Sequence, residues 1–287
     1  MDPTRDLPNW PLSHLSRRLV EKPHHWHLQE TGAGPTLLLL HGAGATTHSW
    51  RQMIPLLAKT HHIVALDLPG HGFTRVGRPR RCGLPEMTQD IARLCAAQGW
   101  QPQAIIGHSA GAAVALSLAQ QMQPTPAVVG INAALGRFDG VAGWLFPLLA
   151  KLLALNPLTA FAFTLGRDPQ SRARRLIEGT GSTLTEENLA FYAKLLSDRS
   201  HVDGTLKMMS QWNVDRLDAA LPTLQAPCLL VAGDLDSAVA PRISREAAAR
   251  MPNATYHEVQ GLGHLAHEED PAGMVQLITD WLAQHTT

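Results

Sequence analysis

The stretch Ala104-Ile105-Ile106-Gly107-His108-Ser109-Ala110-Gly111-Ala112 constrains this chain more than any other, because an apolar run passes straight into Gly-x-Ser-x-Gly and then into small residues. Such a run reads as a buried strand, and Ala110 to Ala119 reads as a helix whose small side chains allow close packing on a sheet. The turn between them has to be sharp. That puts Ser109 at the apex of a nucleophile elbow, with Gly107 and Gly111 removing the Cβ atoms that would collide as strand and helix pass, and holds the hydroxyl out toward a ligand. A serine there points to acyl transfer, whereas an aspartate would have pointed to displacement on an alkyl halide or epoxide.

Three further segments supply what such a serine needs. The strand pattern Thr36 to Leu40 is followed by His41-Gly42-Ala43-Gly44, whose glycines let backbone N–H groups approach a ligand, and the N–H groups of Ala43 and Ala110 are the candidate oxyanion hole. After the apolar run Cys228 to Gly233 come Asp234 and Asp236; the pattern Gly-x-x-Asp-x-x-Val-x-Pro favours Asp236 as the acid, with Asp234 as the alternative. His264, in the glycine-rich loop Gly261-Leu262-Gly263-His264, is singled out from fifteen histidines by its order and its loop. In this reading His264 takes the Ser109 proton and returns it to the leaving group, while Asp236 orients the ring. The chemistry needs no cofactor. Ester or thioester cleavage is the expected reaction, and Gly42, Gly44 and His108 are expected to line the substrate site.

Equal numbers of basic and acidic residues, 24 each, give a formal net charge of zero and exclude a broad nucleic-acid footprint. Cys82, Cys95 and Cys228 lie far apart without metal-type spacing and read as free thiols in a reducing compartment. Met1 to Val20 is polar with three prolines and no apolar signal-peptide core, so the expected location is cytoplasmic.

Strand patterns at Ser16 to Glu21, His25 to Glu30, Thr36 to Leu40, His62 to Leu66, Ala104 to Gly107, Ala127 to Ile131, Pro227 to Ala232 and Ala254 to Val259 alternate with helical patterns near Ser49 to Ala58, Met87 to Ala97, Ala110 to Gln121, Arg242 to Met251 and Ala272 to Gln284. This predicts an α/β fold with a mostly parallel central sheet flanked by helices. The stretch 135–213 breaks the alternation, is helix-rich, and reads as an inserted helical cap between a first core part, 1–134, and a second, 214–287. Its apolar beginning, Val141 to Leu155, carries Pro147 and Lys151 and falls short of a membrane span. It is expected to pack on the core and to serve as a lid over a small apolar substrate, with Trp144 and Phe146 lining the pocket, and a transient membrane-surface contact is compatible with it. Met208, Met209 and Trp212, at helical spacing, read as core or as pocket lining. His24-His25-Trp26-His27 alternates faces and so does not gather metal ligands; no metal site is expected. His267-Glu268-Glu269-Asp270-Pro271 reads as the start of the last helix, with acids favouring its dipole.

Taken together, Leu40 to Gly44, Asp67-Leu68-Pro69-Gly70-His71-Gly72-Phe73-Thr74, Gly107 to Ala112 and Gly263 to Glu269 resemble the α/β-hydrolase superfamily over almost the whole chain. More narrowly, Trp10-Pro11 with Ser16-Arg17, Thr47-His48-Ser49-Trp50, Gly179-Thr180-Gly181-Ser182 and Met208-Met209 resemble the magnesium-chelatase accessory hydrolases of bacteriochlorophyll biosynthesis. Two positions depart from that pattern: Ala43 stands where threonine is expected, and Asn213 where aspartate is expected. The resemblance implies a role near magnesium insertion into protoporphyrin, with chelatase subunits as partners and a porphyrin or tetrapyrrole ester as ligand. Two classes of function follow, a serine hydrolase acting on an apolar ester and an accessory porphyrin-binding or chelatase-assisting protein with an idle triad. Other chemistry on the same triad, such as cofactor-free peroxidation or carbon–carbon hydrolysis, is a third.

Overall fold

The computed structural model describes residues 1–136 and 168–286. Eight strands form one sheet: β1 (Ser16–Glu21), β2 (His24–Thr31), β3 (Thr36–Leu40), β4 (His62–Leu66), β5 (Pro102–His108), β6 (Ala127–Ile131), β7 (Cys228–Gly233) and β8 (Ala254–Val259). Their order is β1-β2-β4-β3-β5-β6-β7-β8, antiparallel at β1–β2 and β2–β4 and parallel elsewhere. The architecture is that of an α/β-hydrolase fold.

The period-two alternation of strands explains the two layers. Leu38, Leu40, Val64, Leu66, Ile105, Val128 and Leu230 face one side, where they pack with helices Leu84–Gln98, Ala110–Ala119 and Pro241–Arg250. Leu37, Leu39, Ile63, Ala65, Ile106, Val129, Ile131, Leu229 and Val231 face the other, against Trp50, Met53, Leu57 and helix Pro271–His285. Coverage on both faces is why these strands read as unbroken apolar runs. Because β3 is followed in sequence by β4 on one side and flanked by β5 on the other, the chain reverses its direction of winding there. The loops after β3 and β5 therefore border the crevice in which such sheets bind ligands.

Two expected elements differ. The helix expected at Ser49 to Ala58 is a 3-10 turn, Thr47–Trp50, followed by a single turn of helix, Ile54–Leu57. Pro55 has no N–H for the carbonyl four residues back and its ring crowds that carbonyl, so the two pieces cannot join. The last helix does not start at His267. Ala266–Glu269 is a separate short helix, Asp270 at φ −132° and ψ 75° lies outside the helical region that a following proline disfavours, and its carboxylate caps a new helix beginning at Pro271.

The described part of the stretch between β6 and β7 holds helices Pro169–Glu178, Glu186–Leu196 and Arg199–Gln211. Val141 to Leu155, with Trp144 and Phe146, lies outside the described residues. No helix among the described residues is long and apolar enough to cross a membrane. All three cysteines are unpaired and buried, and burial pushes the Cys95 and Cys228 thiols up to about 12.

Candidate active site

Ser109 follows β5 directly, with φ 52° and ψ −116°, a region that side-chain-bearing residues rarely adopt. Backbone hydrogen bonds hold it there: Ser109 N–H donates to Ile131 at 2.9 Å, and the Ser109 carbonyl accepts from Ala112 and Ala134, each at 3.1 Å. The glycines around it have no alternative. A Cβ on Gly107 would lie 2.3 Å from the Gly111 carbonyl oxygen, and one on Gly111 would lie 2.1 Å from that of Leu40. Ser109 occupies the N-cap of helix Ala110–Ala119, a position where serine usually spends its hydroxyl on the backbone, yet its side chain makes no capping hydrogen bond.

Past the end of β7, Asp236 turns inward and its Oδ2 contacts His264 Nδ1 at 2.8 Å. Oδ2 also accepts from Asn132 Nδ2 at 2.7 Å, while Oδ1 accepts from the backbone of Ala238 at 2.9 Å and Val239 at 2.8 Å. A carboxylate taking four hydrogen bonds keeps the Nδ1 proton on His264 and leaves Nε2 as the acceptor of the neutral ring. Asp234 does not reach His264; its Oδ1 accepts from Gly261 N–H at 2.6 Å and shapes the loop that carries the histidine.

The loop after β3 lies against the serine, since a Cβ on Gly42 would come within 3.1 Å of Ser109 Cβ. Two histidines fix it. His41 Nδ1 donates to the Gly42 carbonyl at 2.7 Å while its Nε2 accepts from Leu68 N–H at 2.9 Å, and His201 Nε2 donates to the Gly44 carbonyl at 3.1 Å while its Nδ1 accepts from Gly72 N–H at 3.1 Å. Burial depresses both rings, His201 to about 4. Ala43 is exposed on this loop, and Ala110 heads the helix, where the first N–H groups have no acceptor within the helix. Asp67 anchors the neighbouring loop, accepting from Thr47, Phe73 and His27. Burial opposes its ionisation, but His27 and these N–H groups outweigh that and hold it below the usual carboxylate range.

His108, expected to line the site, is 2% exposed, and its Nε2 donates to the His264 carbonyl at 2.8 Å. Its ring lies 4.8 Å from that of His264 and 4.4 Å from that of His267. It supports the histidine loop. Met208 is buried in the main core cluster, and Trp212 packs against that cluster half-buried, as Met209 is half-buried beside them. His24 bonds Asp90 and His27 bonds Asp67, and among the described residues no group of three or more His, Cys, Asp or Glu is arranged to hold a metal ion.

Sequence reasoning passed over two supports. Asn132 follows β6 at φ 49°, and a lone polar residue at the carboxyl end of an apolar strand was the available signal. Glu268, read as one of the acids at the start of the last helix, is buried and accepts from Ser49 at 2.7 Å, Arg51 at 2.8 Å and Tyr192 at 2.5 Å.

The family model for the alpha/beta hydrolase fold matches residues 35–271, and the chain belongs to that family. It is 45% identical over 285 residues to the magnesium-chelatase 30 kDa subunit of Rhodobacter capsulatus, covering 98% of this chain and 99% of that protein. It is also 28% identical over 253 residues to the pimeloyl-[acyl-carrier protein] methyl ester esterase of Xanthomonas campestris pv. campestris, with 86% and 95% covered. Among solved structures, the thermophilic esterase of Thermogutta terrifontis superposes with a TM-score of 0.75 at 21% identity, covering 94% of this chain and all of that one. The epoxide hydrolase CorEH gives 0.78 at 20%, covering 94% and 98%. These two show a common fold.

Proposed function

We propose that this protein is a serine hydrolase in which Ser109 attacks an ester carbonyl, His264 accepts and returns the proton, Asp236 holds the imidazole, and the N–H groups of Ala43 and Ala110 receive the developing oxyanion. The observation that carries this reading is the Asp236–His264 hydrogen bond, made by a carboxylate with three further donors, together with a serine held in a strained turn whose side chain makes no capping hydrogen bond. Residues 135–213 serve as a helical cap over an apolar substrate. The name of the Rhodobacter capsulatus relative supports a place beside magnesium chelatase, and a tetrapyrrole ester is the substrate class that joins this place to ester chemistry.

That same name favours a second reading, in which the fold binds porphyrin or assists the chelatase without turning over an ester. Chelatase stimulation by wild type and Ser109→Ala separates the two, because the substitution removes the nucleophile and spares the pocket. The hydrolase reading expects stimulation to vanish while the fold and porphyrin binding persist; full stimulation by the variant would favour the second.

A further inference from the structure

The segment Gly179-Thr180-Gly181-Ser182, within the stretch between β6 and β7, threads between the loop carrying Asp236 and the loop carrying His264. The Thr180 carbonyl accepts from Ser237 N–H at 3.2 Å on the first loop and from His264 N–H at 3.4 Å on the second. Ser237 Oγ donates to the Gly179 carbonyl at 3.0 Å, and Ser182 Oγ, on a residue 1% exposed, accepts from Leu265 N–H at 2.8 Å. Glu269 closes the ring: one carboxylate oxygen accepts from Thr183 N–H and the other from Gly263 N–H, each at 2.9 Å. The three backbones touch without side chains between them. A Cβ on Gly181 would stand 1.9 Å from the Leu235 carbonyl oxygen, and one on Gly263 would stand 2.3 Å from the Gly181 carbonyl carbon.

We infer that Gly179 to Ser182, with Glu269, is a clasp that positions Asp236 and His264 relative to one another, so that Ser182 and Glu269 are positioning residues for the reaction. The inference rests on the reading of Asp236 and His264 as its acid–base pair. The physical reason is that each of those two residues sits on a loop past the end of its strand, where sheet hydrogen bonds no longer fix it. The clasp supplies the missing restraint from a third segment. It also ties the stretch between β6 and β7 to the reacting groups, since helix Pro169–Glu178, with Gly179 as its C-cap, runs directly into the segment that bonds both loops.

The test uses Ser182→Ala and Glu269→Ala of the full chain, with two readouts. The first is fluorophosphonate labelling resolved into its maximal rate and its half-saturating probe concentration. The second is the downfield proton resonance of an Asp–His Nδ1–H hydrogen bond, assigned by its loss in His264→Ala. Both variants are expected to lower the maximal labelling rate by about tenfold to a hundredfold, as misplacing a reacting group does. The half-saturating concentration should stay within about twofold, and the resonance should broaden or disappear. A wild type that shows the resonance without labelling would sink the hydrolase reading alone, and the clasp would then be judged on the resonance. Glu269 is half-buried, so its variant stands if Ser182→Ala does not fold. Resonance and rate unchanged in the folded variants would overturn the clasp, as would losses that merely follow a lowered urea midpoint.

Discussion

Asn132 Nδ2 donates to Asp236 Oδ2 at 2.7 Å, on the same oxygen that meets His264 Nδ1 at 2.8 Å. The amide is held at that spot by a positive φ and a further contact with the Gly263 carbonyl at 3.4 Å. A hydrogen bond to a charged group is worth about 1.5–3 kcal/mol. If that is expressed in nucleophile activation, Asn132→Ala lowers the rate of fluorophosphonate labelling roughly ten- to a hundredfold. Asn132→Asp, which sets a second carboxylate against the first, should lower it further. Equal rates in the wild type and both variants would show that the amide does nothing for the pair.

Glu268 is a buried carboxylate held by three groups from two places: Ser49 and Arg51 after β3, and Tyr192 from helix Glu186–Leu196. Removing Arg51 strands the charge. Arg51→Met should cost about 3–5 kcal/mol of stability, and Tyr192→Phe a smaller 1–3 kcal/mol or so, both read as a lower urea midpoint. A smaller loss for Arg51→Met than for Tyr192→Phe would contradict this ordering.

Two glycines distinguish crowding from backbone preference. Gly111→Ala drives a Cβ into the Leu40 carbonyl and should destabilise by about 4 kcal/mol or more, beyond ordinary substitutions. Gly99 has open space around it but φ 70°, so Gly99→Ala should cost only about 1–2 kcal/mol. Thermal unfolding of the two variants reads the difference.

Buried histidines set the acid stability. Burial lowers His267 to about 3 and His201 to about 4, and protonating His201 would turn an acceptor into a donor facing Gly72 N–H. Below the ordinary histidine value near 6.5 the unfolded chain takes up protons that the folded one refuses, so stability is full above pH 6.5 and declines as the pH falls. Each of the two loses about 1.4 kcal/mol per pH unit, or roughly 2 kcal/mol at pH 5. The urea midpoint should fall between pH 7 and pH 5, and less so in His267→Asn. A flat profile would rule this out.

Much of this architecture was legible because it is local. Apolar runs gave the strands, and Gly-x-Ser-x-Gly marked the strand-to-helix turn from its own nine residues. His264 and Asp236 were expected as partners from order and loop composition, and their side chains meet at 2.8 Å. What escaped was non-local: Asn132, Glu268, Ser182 and Thr180 matter through partners about 50 to 220 residues away, and no spacing in one sequence records such a pairing. Pro55 was legible as a residue but was outweighed by the apolar periodicity around it, and there the backbone rule won; at Pro271 the acids before it were read as part of the last helix, although the helical pattern itself was placed from Ala272.

The most direct measurement is intact-mass detection of fluorophosphonate labelling on wild type, Ser109→Ala and His264→Ala, since covalent capture reports an activated serine without the true substrate. One adduct on wild type, mapped to Ser109, absent from Ser109→Ala and strongly slowed in His264→Ala, is the expected result. A folded wild type that stays unlabelled would contradict the hydrolase reading and turn attention to binding.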